Sequence, residues 1–293
     1  MTMLSLFMLR SAAATVLAPD VYATLMVGSH STHDAVTNAS GVYLWENQNI
    51  LNRTLCFQRR LRELGARHPL VVLHNFDDDP RVLDALFDRT HRIRGHSVSI
   101  SGMSNVHLNK LAVWDLPVRR AIFMDNDIFL RTLPDPLFKL LLPDGWIGAV
   151  AASCGQGRLA GVNDSVPDAT VFNSGLLVIT PDANASKDLF AFRASHKPQH
   201  ACTGHFFGDQ SLLNTAYRGR WVHLPKYWNF QYSYHYHPVH VYDGANVHFT
   251  GDQKPRWQMC VHDTYTDGES PDGAPPEPPA WPDVLVRPAY PDS

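Results

Sequence analysis

The sequence predicts an α/β fold in which a mostly parallel central sheet is flanked by helices. Short apolar runs typical of buried strands alternate along the chain with segments of helical spacing. This alternation is characteristic of parallel sheets whose strands are joined by helical crossovers. A chain of 293 residues that is 44% hydrophobic can also bury a sizeable core. The formal net charge of −3 argues against a nucleic-acid-binding surface.

The predicted elements follow one another in a regular order. Strands are predicted where a short, mostly apolar run stands between turn residues. These strands cover residues 21–27, 70–74, 121–124, 146–152, 171–180, 221–224 and 246–250. Helices are predicted where apolar residues recur at helical spacing, at residues 51–64, 106–116, 186–196 and 209–218.

The two ends of the chain differ in composition from the middle. Residues 1–18 are moderately apolar, contain one arginine and end in small residues. That pattern is typical of a weak signal sequence or a disordered lead-in, and it is too short and interrupted to span a bilayer. Residues 263–293 are rich in Pro, Asp and Gly and are expected to lack regular structure. Residues 19–262 are therefore predicted to form the folded domain.

The cysteine spacing and the sequence signals for a cellular compartment say less about function. Four cysteines are widely spaced and contain no C-x-x-C pair, which favours scattered core thiols over a zinc site or a disulfide framework. The sequence leaves the compartment open between the cytoplasm and the secretory pathway.

Two aspartates at the end of one predicted strand are the clearest chemical signal. Asp125 and Asp127 follow the apolar run 121–124. Residues two apart in an extended chain share one face, and the carboxyl ends of strands in open α/β sheets form the ligand crevice. Two carboxylates there suit Mg²⁺ or Mn²⁺. A solvated turn explains the pair equally well, because D-x-D is short and common.

Two polar segments stand at the edges of later elements. Asn173 and Gly175 precede a buried run, where an amide can donate and accept hydrogen bonds and a glycine permits close backbone approach. A β-bulge or turn is the alternative explanation. Asp209 and Gln210 stand at a predicted helix start, where Asp is an ordinary N-cap residue, and the cap is favoured when the segment is taken alone.

A histidine and two lysines complete the polar candidates. His248 leaves a predicted strand and is followed by Gly251 and Lys254. Such a turn can join a metal ligand to phosphate-binding groups. Lys110, on the predicted helix before the aspartate strand, would be a counter-charge beside a diphosphate. Taken singly, a strand-end histidine is more often structural, and an exposed helical lysine is more often only solvated.

In combination, and in this order along the chain, these residues resemble the glycogenin-like family 8 glycosyltransferases. The resemblance spans about residues 21–257. It rests on Lys110 with Trp114, Phe123-Met-Asp-Asn-Asp-Ile, Pro136-Leu-Phe138, Phe172-Asn-Ser-Gly, Asp209-Gln with Leu213-Asn214, and His248-Phe-x-Gly-x-x-Lys-Pro. It implies a GT-A type nucleotide-diphospho-sugar transferase fold. It also implies retaining transfer of a hexose from a UDP-sugar to a carbohydrate or glycoprotein acceptor, with Mn²⁺ or Mg²⁺ as cofactor.

The resemblance also implies roles for individual residues. The metal site would consist of Asp125, Asp127 and His248. The nucleotide or its diphosphate would contact Leu25, Val27, Lys110, Asp125, Gly251 and Lys254. The catalytic groups around the donor sugar would be Asn173, Asp209 and Gln210.

Departures from the family pattern keep alternatives open. The segment before Asp209 lacks the additional acidic residue that glycogenins carry there, which counts against self-glucosylation. Tyr236 lies in a tyrosine-rich segment similar to the one that is self-glucosylated in glycogenins, so a self-glucosylating primer is one alternative. A loop that stacks on sugars or simply packs is the favoured explanation of these tyrosines.

The resemblance does not extend to the first nucleotide-binding loop, and it does not determine the substrates or the oligomeric state. Residues 29–50 form an insertion, so the first uridine-contacting loop cannot be carried over beyond Val27. A catalytically silent UDP-sugar-binding scaffold is a second alternative, against which the complete metal set argues. The donor sugar, the acceptor and the oligomeric state, including a dimer, stay open.

Overall fold

The structure is a computed structural model that describes residues 19–26, 42–75, 80–93, 106–152, 171–195, 208–232 and 245–249. The α-helices in these ranges are α1 (Val42–Glu63), α2 (Pro80–Leu86), α3 (Ala183–Ser195) and α4 (Gly208–Ala216). The first five strands are β1 (Asp20–Met26), β2 (Leu70–His74), β3 (Arg89–Arg92), β4 (Arg120–Met124) and β5 (Ile128–Phe129). The later strands are β6 (Ile147–Ala151), β7 (Phe172–Ile179), β8 (Trp221–Leu224), β9 (Phe230–Tyr232) and β10 (Val247–Phe249). Three 3₁₀ segments cover Val106–Asp115, Asp135–Lys139 and Lys226–Trp228.

Seven of the strands form one mixed sheet in the order β3-β2-β1-β4-β7-β6-β8. Four of its six pairings are parallel, whereas β7 runs antiparallel to both of its neighbours. The predicted mostly parallel sheet is thus confirmed. The direction of β7 could not be predicted, because a strand buried on both faces is a continuous apolar run in either direction.

Apolar side chains cover both faces of this sheet, and helices pack on them. On one face lie the 3₁₀ segment Val106–Asp115 and helices α3 and α4. The 3₁₀ segment contributes the fully buried Leu111, and α4 contributes the fully buried Leu212. On the other face α1 and α2 contribute Phe57 and Leu83 to a second buried cluster. Removal of this apolar surface from water, at roughly 25 cal/mol per Å², is the main contribution to folding.

A second, three-stranded sheet brings the last described strand to the turn that follows β4. Strand β10 pairs antiparallel with β5 and parallel with β9. Because β5 begins one residue after Asp127, the pairing of His248 with Ile128 places the histidine beside the aspartates. The sequence predicted β10 but not this pairing. Strands of two and three residues, such as β5 and β9, are too short to show an alternation pattern.

Several elements differ from their predicted form. Helix α1 begins at Val42 rather than at residue 51, and residues 106–115 form a 3₁₀ segment rather than an α-helix. Apolar spacing over so few turns is compatible with either helix type. Cys56, expected to be a core thiol, is disulfide-bonded, and its partner lies outside the described residues.

The predicted lead-in (residues 1–18) and tail (residues 263–293) lie outside the described residues, so the division into domains stays a prediction. None of the described helices has the length and apolar character needed to cross a membrane.

Candidate active site

The turn after β4 carries both aspartates and is anchored on two neighbouring strands. The Asp125 backbone N–H donates to Gly175 O on β7 at 2.8 Å. Asn126, which separates the aspartates, donates from Nδ2 to Leu25 O on β1 at 3.1 Å. The turn is thereby fixed to strands on either side of β4, and the carboxylates of Asp125 and Asp127 are held at the same edge of the sheet.

His248 completes a group of three side chains that could hold a divalent ion. Its Nε2 lies 3.3 Å from Asp127 Oδ1 and 3.8 Å from Asp125 Oδ2. One donor atom from each residue lies within 4.8 Å of the others. Carboxylates suit Mg²⁺ and Mn²⁺, and an imidazole shifts the preference toward a transition metal. The donor set therefore fits a divalent ion.

Gly175 leaves the space that the histidine ring occupies. A Cβ at this position would lie 2.2 Å from His248 Cε1 and 2.5 Å from His248 Nδ1, so a side chain here would displace the ring. Gly175 lies in an irregular part of β7, because the register with β6 shifts between Ala149 and Val150. Bulges of this kind re-aim side chains beside active sites. The two sequence interpretations of this segment, a bulge and a close approach, therefore both apply.

Lys110 is buried beneath the aspartate turn and links it to α4. Its Nζ lies 3.1 Å from Asp125 Oδ1 and 2.8 Å from Asp209 Oδ2, and it donates to Ser174 O at 3.1 Å. Only 4% of Lys110 is exposed, so the interpretation as a solvated surface lysine is wrong. Asp209 lies within the first turn of α4, after Gly208, and its carboxylate faces Lys110. The N-cap interpretation accounts for the position of Asp209 at the helix start but not for its contact with Lys110.

Burial and charge act in opposite directions on these groups. Burial alone would lower the pKa of Lys110, but the carboxylates of Asp125 and Asp209 outweigh it and raise that pKa above its ordinary value. Burial raises the pKa of Asp125, as does the Asp127 carboxylate, and the lysine offsets this only in part. Two carboxylates, those of Asp125 and Asp209, thus pair with one lysine, and the Asp127 carboxylate acts on Asp125. A bound cation would favour their ionised forms.

A chain of side-chain amides runs from the histidine to α4. His248 Nδ1 lies 2.9 Å from Asn229 Oδ1, and Asn229 Nδ2 donates to Asn173 Oδ1 at 2.9 Å. Asn173 Nδ2 donates in turn to Gln210 Oε1 at 3.1 Å. The residues predicted to surround a donor sugar are therefore connected to those predicted to hold a metal.

The structure brings most of the predicted site residues together. One cluster contains Lys110, Asp125, Asp127, Asn173, Asp209, Gln210 and His248. Leu25 lies at the end of β1, half-buried, and its carbonyl holds the aspartate turn. Val27, Gly251 and Lys254 lie outside the described residues, as does Tyr236, so their roles stay predictions.

Two residues of this cluster were absent from the predicted set. Asn229 is fully buried between Trp228 and Phe230. A lone amide between two aromatic residues was the available signal, because a buried amide needs hydrogen-bond partners. Ser174 contributes both of its backbone groups, with the carbonyl accepting from Lys110 and the N–H donating toward Gln210 at 3.4 Å, and its Oγ also accepts from Lys110 at 3.4 Å. Backbone contributions of this kind leave no trace in the residue type.

The fold is shared with solved glycosyltransferases. The galactosyltransferase LgtC, solved in complex with donor and acceptor sugar analogues, gives a TM-score of 0.54 at 17% identity, over 83% of this chain and 91% of LgtC. GlyE from Streptococcus pneumoniae gives 0.53 at 15% identity, over 80% of this chain and 56% of GlyE. The chain thus has the GT-A fold of glycosyltransferases.

Sequence comparison supplies the family. The model of glycosyl transferase family 8 matches residues 44–259, which is most of the chain. The glycosyltransferase GlyB of Streptococcus pneumoniae serotype 4 is 33% identical over 113 residues, which are 38% of this chain and only 24% of GlyB. The chain belongs to glycosyl transferase family 8 and is a glycosyltransferase, as the resemblance implied.

Proposed function

We propose that this enzyme moves a hexose from UDP-glucose or UDP-galactose to a carbohydrate or glycoconjugate acceptor, with retention of anomeric configuration and with Mn²⁺ as the preferred metal. One observation carries the proposal. The triad of Asp125, Asp127 and His248 adjoins the buried pair of Lys110 and Asp209 at one strand end. A place for a diphosphate and a polar place for a sugar therefore lie side by side. The fold shared with the galactosyltransferase LgtC is consistent with this.

The triad would serve the leaving group. Cleavage of the bond between the anomeric carbon and the diphosphate leaves negative charge on the diphosphate oxygens. A divalent ion bound by Asp125, Asp127 and His248 would supply Lewis-acid stabilisation of that charge. The chain prepares this place by fixing the aspartate turn and by leaving room for the histidine ring at Gly175. Lys254 is the predicted additional counter-charge.

The residues of β7 and α4 would serve the sugar. Gln210 Oε1 is oriented by donors from Asn173 and Ser174. An amide oxygen is a poor nucleophile, but its dipole can stabilise positive character at an anomeric carbon. The Asp209 carboxylate lies 2.8 Å from the Lys110 ammonium, which makes it a weaker nucleophile. Both features favour attack by the acceptor on the face from which the diphosphate departs.

The proposal is tested by turnover of a panel of UDP-sugars with Mn²⁺, Mg²⁺ or EDTA, with release of UDP as the readout. We expect metal-dependent turnover of UDP-glucose or UDP-galactose. The Asp127→Ala variant should keep its fold and lose metal-dependent turnover. The control is Asp188→Ala, a change at an exposed position of α3, which should keep wild-type activity. Full activity of Asp127→Ala would disprove the assignment of the site.

Intact-mass measurement separates the proposed transferase from a self-glucosylating primer. A primer would gain hexose increments at a residue such as Tyr236 when UDP-glucose is supplied without an acceptor. We expect the mass of the chain to stay unchanged under these conditions.

A further inference from the structure

The orientation of the Asn173 amide is set by a backbone group of β7. The Gly175 backbone N–H donates to Asn173 Oδ1 at 2.8 Å. A backbone N–H is always a donor, so the atom of Asn173 that it meets must be the oxygen. The atom of Asn229 that faces the same oxygen at 2.9 Å must therefore be the nitrogen. One fixed donor thus determines how two buried amides are turned.

The orientation of Asn229 determines the tautomer of His248. The remaining polar atom of Asn229 is its Oδ1, which lies 2.9 Å from His248 Nδ1. An amide oxygen can only accept, so Nδ1 of the neutral ring carries the hydrogen. The lone pair is then left on Nε2, the nitrogen that lies 3.3 Å from Asp127 Oδ1. The ring therefore presents an electron pair toward the two carboxylates.

The other end of the amide chain is fixed in the same way. Asn173 Oδ1 is occupied by its two donors, so Asn173 Nδ2 is the atom that meets Gln210 Oε1 at 3.1 Å. A second backbone donor, the Ser174 N–H, approaches the same Gln210 oxygen at 3.4 Å. The tautomer of the histidine and the orientation of the glutamine are consequently set by one hydrogen-bonded chain.

We propose that Asn229 is a positioning residue that holds His248 as the Nδ1–H tautomer and links it, through Asn173, to the orientation of Gln210. The use of Nε2 as a metal ligand rests on the proposed function, whereas the tautomer itself does not. Outer partners that fix the tautomer of a ligating histidine typically change metal affinity by about 10- to 100-fold when they are removed.

The first test is the tautomer in the metal-free wild-type chain. Long-range ¹H–¹⁵N correlation spectra of ¹⁵N-histidine-labelled protein distinguish a protonated Nδ1 from a protonated Nε2. They should be recorded at alkaline pH, so that the comparison is between the two neutral tautomers. The chain has 16 histidines, so the His248→Gln variant identifies the signal. We expect the Nδ1–H pattern. An Nε2–H pattern would overturn the proposal without any need of a variant.

The second test removes and then restores the acceptor. In Asn229→Ala the Nδ1–H pattern should give way to Nε2–H, and the Mn²⁺ dissociation constant from calorimetry should rise by about tenfold. In Asn229→Asp a carboxylate oxygen again accepts from Nδ1, so the Nδ1–H pattern and tight Mn²⁺ binding should return. The link to Asn173 is broken in both variants, so kcat should be below the wild-type value in both. Loss of the Nδ1–H pattern in Asn229→Asp would contradict the proposal.

The matched control is Asn246→Ala, because Asn246 is as fully buried as Asn229. Asn246 Oδ1 accepts from the backbone N–H groups of Arg131 and Thr132 at 2.9 and 3.0 Å. Its removal should lower stability but leave the His248 tautomer and the Mn²⁺ affinity unchanged. The same tautomer change in this control would show that Asn229 acts only through packing. Absence of Mn²⁺ binding by the wild type would instead refute the proposed function and leave the tautomer result standing.

Discussion

The two halves of strand β7 differ in what they bury and in how they pair. Residues 176–179 are Leu-Leu-Val-Ile, each at most 1% exposed, and they pair in continuous register with β4. Residues 172–175 are Phe-Asn-Ser-Gly, and the register with β6 shifts between Asn173 and Leu177. This irregular half supplies the groups that contact Lys110 and make room for His248. One strand thus serves both as part of the framework and as part of the site.

The difference shows where this chain departs from the rules that stabilise a sheet. Buried amides and a glycine weaken a strand unless every polar group finds a partner. Such departures are expected at functional sites and not in the framework. Substitutions in the regular half should therefore change stability, and substitutions in the irregular half should change chemistry.

Lys110→Met should have the largest effect on stability, because the buried Lys110 ammonium contacts Ser174 in the irregular half of β7 and two carboxylates beside it. The change leaves the buried Asp209 carboxylate and the half-buried Asp125 carboxylate without their lysine. Removal of one partner from a buried ion pair costs about 3–5 kcal/mol, and chemical denaturation should show a loss of that size. The control is Lys187→Met at an exposed position of α3. A loss no larger than the control's would mean that the cluster is not desolvated.

Leu177→Ala tests the regular half. Leu177 is fully buried, so the lost apolar contacts and the cavity should lower the free energy of unfolding by about 2–5 kcal/mol. Thermal or chemical unfolding measures this loss. The Mn²⁺ affinity of the folded fraction should stay at its wild-type value. A specific loss of Mn²⁺ binding would erase the distinction between the two halves.

Gly175→Ala tests the irregular half. The added Cβ would lie 2.2 Å from His248 Cε1, so the ring has to move to reach an ordinary contact distance. A misplacement of about 1 Å can lower activity by about 100-fold. Steady-state turnover and Mn²⁺ titration measure the loss. Gly148→Ala is the control in the same sheet, because its Cβ would meet the side-chain end of Leu140 at 2.8 Å. The control should lose stability and keep Mn²⁺ binding, and equal losses of Mn²⁺ binding in both variants would argue against a special role for Gly175.

The smallest effect on stability at neutral pH is expected from Tyr217→Phe. Tyr217 lies in the apolar core and not in the candidate site. Burial raises the pKa of the Tyr217 phenol to about 12, above the value of about 10 for an unfolded tyrosine. The neutral phenol is therefore favoured in the fold. The associated stability is fully present below about pH 10 and is lost as the pH rises toward 12. A difference absorbance titration of the wild type against Tyr217→Phe should show a transition near pH 12, and ionisation near pH 10 would be inconsistent with burial.

The sequence predicted those parts of the molecule whose pattern is local. Apolar runs such as residues 70–74 and 121–124 became strands β2 and β4 with nearly the same bounds. Asp125 and Asp127 could be recognised because they directly follow such a run. The neighbourhood of His248 could not be derived from local pattern, because it depends on the pairing of two very short strands across more than a hundred residues.

The remaining site features depend on groups that residue type does not reveal. The shorter contact of Ser174 with Lys110 is made by its backbone carbonyl, and the antiparallel direction of β7 cannot be read from an apolar sequence. The order of the motifs along the chain supplied the family resemblance, which in turn implied roles for the individual residues. The structure added Asn229 and the burial of Lys110, which only tertiary packing determines.

The central claim is that Asp125, Asp127 and His248 bind one divalent ion. The most direct test is an electron paramagnetic resonance titration of free Mn²⁺ with the purified wild type and with Asp127→Ala. We predict one tightly bound Mn²⁺ per wild-type chain and loss of that binding in the variant. Equal Mn²⁺ binding by the two proteins, or no binding by the wild type, would contradict the account.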